Sequence, residues 1–314
     1  MVGTMDITRN GEKRRSVIRV AIRRRRVARA SDEDAPLKGF VIVTLALNVP
    51  APVAAARLLQ LGATVIKVEP PGGDALHKKY CPRWYRELTR KQRVLRLDLK
   101  EPKDRARLDD FLARSHLLLT SIRPSSLRRL SLGWKQLHSK FPALSHVALL
   151  GHPAPRREIA GHDLTYLARL GLLEPPNMPR TLWADLVGAE RVVQQALIVL
   201  LTRGPGKPGV FREVTIEQAI TTFAAPLRYG LTGPGGDLGG GLAQYNLYRA
   251  SDAWVCVAAL EPHFLARLKK ELGLATLGRK NLGTAMLART AMEWERWAIK
   301  RDLPICAVRR FDDR

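Results

Sequence analysis

From Leu37 onward, short apolar runs alternate with amphipathic stretches. Phe40 to Leu47 is almost continuously apolar, the pattern of a strand covered on both faces. Pro50 and Pro52 interrupt it, Val53 to Leu61 is predicted as a short helix, and Gly62 ends that helix. Ala63 to Val68 is a second buried strand. A β-α-β unit of this kind implies a right-handed crossover and a parallel sheet. Pro70-Pro71-Gly72-Gly73 then forces a turn at the strand's C-terminal end, where open α/β sheets gather ligands. The alternation continues with strands over Val94–Leu99, Leu117–Ser121 and Leu144–Leu150. Helices are predicted over Lys103–Ser115, Trp134–Lys140, Gly161–Leu173 and Asp185–Leu201, with a helical turn at Leu127–Leu130. Residues 210–225 add a strand and a helix. Gly233 to Gly241 reads as a glycine-rich linker, followed by a hairpin of Tyr245–Arg249 and Trp254–Leu260 with Ser251-Asp252 at its turn. The remainder is helical up to Lys300, with a last strand at Pro304–Val308. The fold class is therefore α/β, with a large Rossmann-like parallel-sheet domain over residues 37–230 and a smaller α+β domain over 231–300.

Composition changes this picture little. The chain has 314 residues, 46% of them hydrophobic, and no run approaches the roughly 18 apolar residues of a membrane span. The net charge of +24 is high. Residues 1–37 carry ten basic and five acidic side chains, so most of the charge lies beyond them. It is spread along the chain, is dominated by arginine as in proteins from GC-rich genomes, and comes with no nucleic-acid reader motif. Nucleic acid is therefore not the expected partner. Residues 1–36, with Arg23 to Arg26 and then Asp32-Glu33-Asp34, read as a basic, disordered extension or as a start placed too far upstream. A targeting peptide is the sharper alternative, and Asp6 and Glu12 speak against it. Cys81, Cys256 and Cys306 are odd in number, far apart in sequence and without zinc spacing, which points to a reducing, cytoplasmic compartment. No G-x-G-x-x-G follows the first strand and there is no P-loop.

Three segments set an ionisable residue in apolar surroundings: Gly161-His162-Asp163-Leu164-Thr165-Tyr166-Leu167, Leu182-Trp183-Ala184-Asp185-Leu186-Val187-Gly188, and Ala258-Ala259-Leu260-Glu261-Pro262-His263-Phe264. A carboxylate among Trp, Leu and Val must be paired or carry a shifted pKa, which makes it a functional-site candidate. The plainer reading of each is a helix cap.

Together these segments resemble family III CoA-transferases, the CaiB/BaiF family, and within it the α-methylacyl-CoA racemase branch. LKGFVIVTLALNVPAPVAAARLLQLGATVIKVEPPGGD is similar to the family's N-terminal unit, and RKQRVLRLDLK and SIRPSSLRRLSLGW to its next two motifs. GHDLTYL, WADLVGA and AALEPHF look like the racemase active-site motifs. The resemblance implies that Asp185 is the carboxylate shared by racemases and transferases. It implies that His162 and Glu261 form the second acid–base pair, and that the backbone N–H of Asp163 meets the enolate oxygen. It puts Arg123, Arg90, Lys91 and Arg93 near the CoA phosphates and Lys67 to Pro70 near the adenosine end. It further implies an interlocked homodimer, coenzyme A present only as part of the substrate, and no permanently bound cofactor or metal. Residues 301–314 would be a shortened return to the large domain. Departures from the family are Ser125 in place of Gly after Arg-Pro, and Gly206-Lys207-Pro208-Gly209 in place of Gly-Arg-Gly-Gln. Gly239-Gly240-Gly241 could supply the loop that transferases keep near their intermediate. Three activities stay open: racemisation of a 2-methylacyl-CoA, CoA transfer through an aspartyl intermediate, and a CoA-binding relic without activity.

Overall fold

The computed structural model describes residues 35–204 and 206–310, so the expectations for the N-terminal extension fall, up to residue 34, outside the described residues. In the first half of the chain β1 (Val41–Thr44), α1 (Pro50–Gln60), β2 (Thr64–Glu69), α2 (Pro82–Thr89), β3 (Arg93–Arg96), α3 (Pro102–Ala113) and β4 (Leu117–Thr120) follow one another. Next come α4 (Pro124–Arg129), α5 (Trp134–Lys140), β5 (Ser145–Leu150), α6 (Asp163–Arg169), α7 (Trp183–Leu201), β6 (Phe211–Thr215), α8 (Ile216–Phe223) and α9 (Ala225–Arg228). The six strands form one parallel sheet in the order β3-β2-β1-β4-β5-β6. That order reverses between β1 and β4, which is the topological switch point of a doubly wound sheet.

The alternation of strand side chains divides the core between two faces. Ile42, Val65, Leu117, Leu119, Val147 and Leu149 face the layer of α1 and α7. Val43, Ile66, Val68 and Leu118 face the layer of α3, α4 and α5. The near-continuous apolar runs of the sequence have this origin, since both neighbours of each strand residue are buried. α7 packs along α1 and α8 through a small-residue face of Ala184, Gly188, Ala189 and Ala196. A Cβ at Gly188 would lie 3.1 Å from the Ile216 side chain, which would have to give by a few tenths of an ångström.

The smaller unit is an antiparallel sheet of β7 (Tyr245–Arg249), β8 (Trp254–Ala258) and β9 (Ile305–Ala307), in that order. It is covered by α10 (Pro262–Leu272), α11 (Arg279–Met286) and α12 (Ala291–Ile299). Trp294 and Trp297 meet edge to face at its centre. Among the described residues no helix is long and apolar enough to cross a membrane.

Three expectations are corrected. Pro50 and Pro52 do not separate strand from helix but open the helix, because the missing N–H of a first-turn proline costs nothing. Residues 76–89, for which no element is predicted, form a π-helical turn (Leu76–Tyr80) and then α2. Leu88 is the one fully buried residue of α2, too little to print a helical period. Of the segment expected to return to the large sheet, residues 301–310 are described, and their strand joins the smaller sheet instead. Ile305 and Ala307 are buried against the smaller core as β9.

Lys67, expected near the adenosine end of a ligand, is 1% exposed. Its ammonium donates to the Ala46 carbonyl at 2.6 Å and to Asp74 at 2.9 Å, with Glu69 at 3.6 Å. Asp74 also accepts the backbone N–H groups of Asn48 and Leu76, and Glu69 accepts from Tyr85 at 2.8 Å. Desolvation and the bond to Glu69 push the Tyr85 hydroxyl far above its ordinary range. Enclosed among these oxygens, the Lys67 ammonium is closed off from a phosphate outside. Lys67→Met strands two buried carboxylates and is expected to cost about 3–5 kcal/mol in urea unfolding. A loss below about 1 kcal/mol would show that water already solvates the cluster.

Candidate active site

At the switch point a cavity of about 190 Å³ opens beyond the C-terminal ends of β1 and β4. The segment after β1 supplies Asn48 and the segment after β4 supplies Ser121 and Arg123. The opposite wall is the N-terminal ends of two helices. His162 stands at the N-cap of α6, and Asp185 lies in the first turn of α7. Asp185, His162 and Arg123, expected to act together, thus line one cavity.

Asp185 is half-buried and is not its helix's cap. Asp163 fills that role from the neighbouring helix. Its carboxylate is buried and accepts the backbone N–H of Asp185 at 3.1 Å, and that of Ala184 as well. Burial raises the Asp163 carboxyl, while the two backbone bonds oppose the rise. Burial, and then the charge of Asp163, push Asp185 up to about 7. Two carboxyls at one helix end therefore divide the work: one satisfies the backbone and the other is poised near neutral pH. The N–H of Asp163, at the first residue of α6, has no acceptor inside its helix.

The remaining candidates are not gathered here. Glu261 is exposed at the start of α10 and lies outside the cavity. Arg90, Lys91 and Arg93 are exposed just before and at the start of β3, the edge strand of the sheet, where Arg93 is level with Ile66 of β2 and Val43 of β1, and they do not line the cavity. The Arg93 guanidinium sits 5.1 Å from the Phe111 ring centre. Gly239-Gly240-Gly241 lines no part of the cavity and folds into a compact turn on Gly233 and Gly236.

Three groups were not singled out from the sequence. The Tyr166 hydroxyl faces the cavity from a buried side chain, and burial and Asp185 push its pKa up to about 12. It therefore keeps its proton and remains a donor. A Cβ at Gly151 or Gly161 would come within 2.3 or 2.4 Å of that hydroxyl, so both glycines are required for it to sit there. Tyr166 lies four residues after His162, a spacing that sets both on one helix side and could have marked it. Asn48 lines the cavity with φ at 68°, which no pattern foretold. Lys100 lines a second, largely apolar cavity of about 210 Å³ that shares Leu47 with the first and runs along Val68, Pro70 and Leu97.

The cavity wall formed by residues 151–161 is tied down by ion pairs. Glu217 accepts from His152 at 2.6 Å and pairs with Arg156 at 2.8 Å, and although desolvation opposes it these bonds hold its carboxyl below the usual range. Arg157 pairs with Glu213. Ser125, after Arg123-Pro124, donates to Glu158 through its N–H at 2.9 Å and its hydroxyl at 2.8 Å. Its hydroxyl thus tethers α4 to the wall.

Comparison with known proteins identifies the family. Human α-methylacyl-CoA racemase is 32% identical over 263 residues, covering 76% of this chain and 65% of that protein. The succinyl-CoA–D-citramalate CoA-transferase of Chloroflexus aurantiacus is 26% identical over 261 residues with the same coverage. The chain thus spans 65% of the length of these curated relatives. Among solved structures, a hypothetical protein of Mycobacterium tuberculosis superposes with a TM-score of 0.77 at 21% identity, over 89% of this chain and 85% of that one. A CaiB/BaiF family protein of Brucella suis reaches 0.76 at 19% identity, over 89% and 85%. The sequence model of CoA-transferase family III matches residues 37–313, nearly all of the described fold and every element of the cavity, and the chain belongs to that family.

Proposed function

We propose that the chain binds an acyl-CoA thioester and racemises the α-carbon of a 2-methylacyl group. The observation that carries this reading is Asp185, raised to about 7 and facing the same cavity as His162. Racemisation needs a base on one face of the α-carbon and an acid on the other. Asp185 as carboxylate removes the α-proton, and His162 returns one to the opposite face. The developing enolate oxygen takes hydrogen bonds from the N–H of Asp163 and the Tyr166 hydroxyl. Arg123, exposed at the rim, meets a phosphate of CoA, for which its forked donors are suited. The neighbouring apolar cavity, with Lys100 at its side, suits the adenosine end.

A second reading, CoA transfer, is favoured by the position of Glu261. Transfer needs Asp185 alone as nucleophile, attacking the thioester to give a mixed anhydride and then an aspartyl-CoA thioester. In one chain Glu261 does not reach His162, so their pairing belongs to the homodimer that the resemblance implies. A reducing, cytoplasmic setting accords with either reaction.

A 2-methylacyl-CoA in heavy water separates the two. α-Hydrogen exchange is expected, and Asp185→Asn should lower it by about 10²–10⁴-fold. His162→Ala should abolish exchange. Absence of exchange, together with entry of a labelled free acid into the thioester, would replace racemase by transferase, and silence in both assays would favour the relic.

Activity is expected to rise with pH through about 7, since the reactive form of Asp185 is the carboxylate. Stability runs the other way. The folded chain holds this proton up to about pH 7, whereas the unfolded chain releases it near 4. Stability therefore falls as pH rises between these values, and the full cost stands above 7. Asp185→Asn removes that cost and should stabilise the chain by about 2 kcal/mol at about pH 8, after allowance for solvent at the cavity mouth. Below about pH 4 the two should be equal in chemical denaturation. A variant less stable at both pH values would contradict a strained carboxylate.

Calorimetry with coenzyme A should show binding that Arg123→Ala weakens by about 1.5–3 kcal/mol, and light scattering of the same sample should give a dimeric mass. No binding at millimolar CoA would sink the ligand assignment.

A further inference from the structure

Cys256 and Cys306 lie 50 positions apart in the sequence, yet their sulfur atoms are 3.1 Å apart. The smaller sheet brings them together. Antiparallel β8 and β9 pair in the register Val255↔Ala307, Cys256↔Cys306 and Val257↔Ile305. Residues directly opposite in such a pair project to the same face, with Cα atoms about 4.5–5.5 Å apart. That spacing lies inside the range that a disulfide bridges, about 4.4–6.8 Å. The flanking residues fix which face this is. Val255, Val257, Ile305 and Ala307 are buried against α10 to α12, so the two cysteines point outward. Cys256 is half-buried, Cys306 is exposed, and both are free thiols. Leu247, opposite Cys256 on β7, is also exposed on this face, so among the described residues the pair is open to solvent on the side of Cys306. Cys81, the remaining cysteine, sits at the start of α2 in the larger unit.

From this juxtaposition we infer that Cys256 and Cys306 form a redox modification site, a cross-strand dithiol that low-molecular-weight disulfides convert to an internal disulfide. The hydrogen bond between the sulfurs, with burial second, pushes the Cys306 thiol up to about 11. One of the two, as thiolate, breaks the S–S bond of the small disulfide, forms a mixed disulfide and expels one small thiol. The other then gives up its proton and attacks the protein sulfur of that mixed disulfide, and the second small thiol leaves. Two protein thiols are oxidised, one small disulfide is reduced to two thiols, and the two protons end on those thiols. The product staples the last described strand to the hairpin and closes the loop that holds α10, α11 and α12, which restricts the unfolded chain.

The test uses the full chain carrying Cys81→Ser, so that the pair alone reports. After reduction and desalting it is incubated with oxidised glutathione. Loss of both thiols is expected, with an intact mass lower by two hydrogens, no glutathione adduct, and a peptide map that joins 256 to 306. Reduction should restore both thiols. The oxidised chain should melt at a higher temperature than the reduced one. Adding Cys306→Ser should leave glutathione held stably on Cys256, because the resolving thiol is gone. A stable adduct on the intact pair, a disulfide between two chains, thiols that do not react, or an unchanged melting temperature on oxidation would each overturn the proposal. None of these readouts involves an acyl-CoA, so the result stands apart from the assignment of the reaction.

Discussion

The Lys67 ammonium, enclosed at the C-terminal end of β2, holds together the segments on which the rest of the site depends. It reaches the carbonyl of Ala46 beyond β1 and the carboxylate of Asp74 beyond β2. Asp74 in turn fixes the backbone of Asn48, which lines the cavity, and of Leu76, which starts the π-helical turn. Through Glu69 and Tyr85 the same cluster anchors α2. A charge taken out of water is tolerable only when fully paired, so these segments have one arrangement in common or none. Removing any one partner leaves the others buried without compensation.

On the far side of the cavity the constraint is the end of a helix. The first N–H groups of α7 have no acceptor within the helix, and the carboxylate of Asp163 supplies one. This frees Asp185 from capping. It also sets a negative charge beside Asp185, in a half-buried place, so that the Asp185 proton is held to about 7. The cap and the raised carboxyl are thus two halves of one device. The cap stabilises α7, and its charge tunes the neighbouring carboxyl. The wall between them and β6 is kept in place by Glu217 and Glu213, which pair with His152, Arg156 and Arg157 of the wall, and by Glu158 of the wall, which accepts from the Ser125 hydroxyl.

The sequence by itself determined the layered plan. Apolar runs with both neighbours buried specify strands covered on two faces, and their alternation with helical stretches specifies parallel pairing. Trp134–Lys140 and the hairpin strand Tyr245–Arg249 are legible to the residue because turn-forming neighbours bound them. The motifs around His162 and Asp185 were legible as chemistry in apolar surroundings. Only the tertiary structure decided which of the cations is free. Lys67, Arg90, Lys91 and Arg93 look alike as charges in a sequence, but the first is enclosed by carboxylates and the others stay exposed at the edge strand of the sheet. It also decided that Asp163 caps a neighbouring helix, that Tyr166 turns its hydroxyl into the cavity between two glycines, and that Cys256 meets Cys306. The physical reason is common to all of these. Periodicity records which face of an element is buried, but pairing between elements far apart in the chain depends on register and on which element ends meet, and a local pattern carries neither.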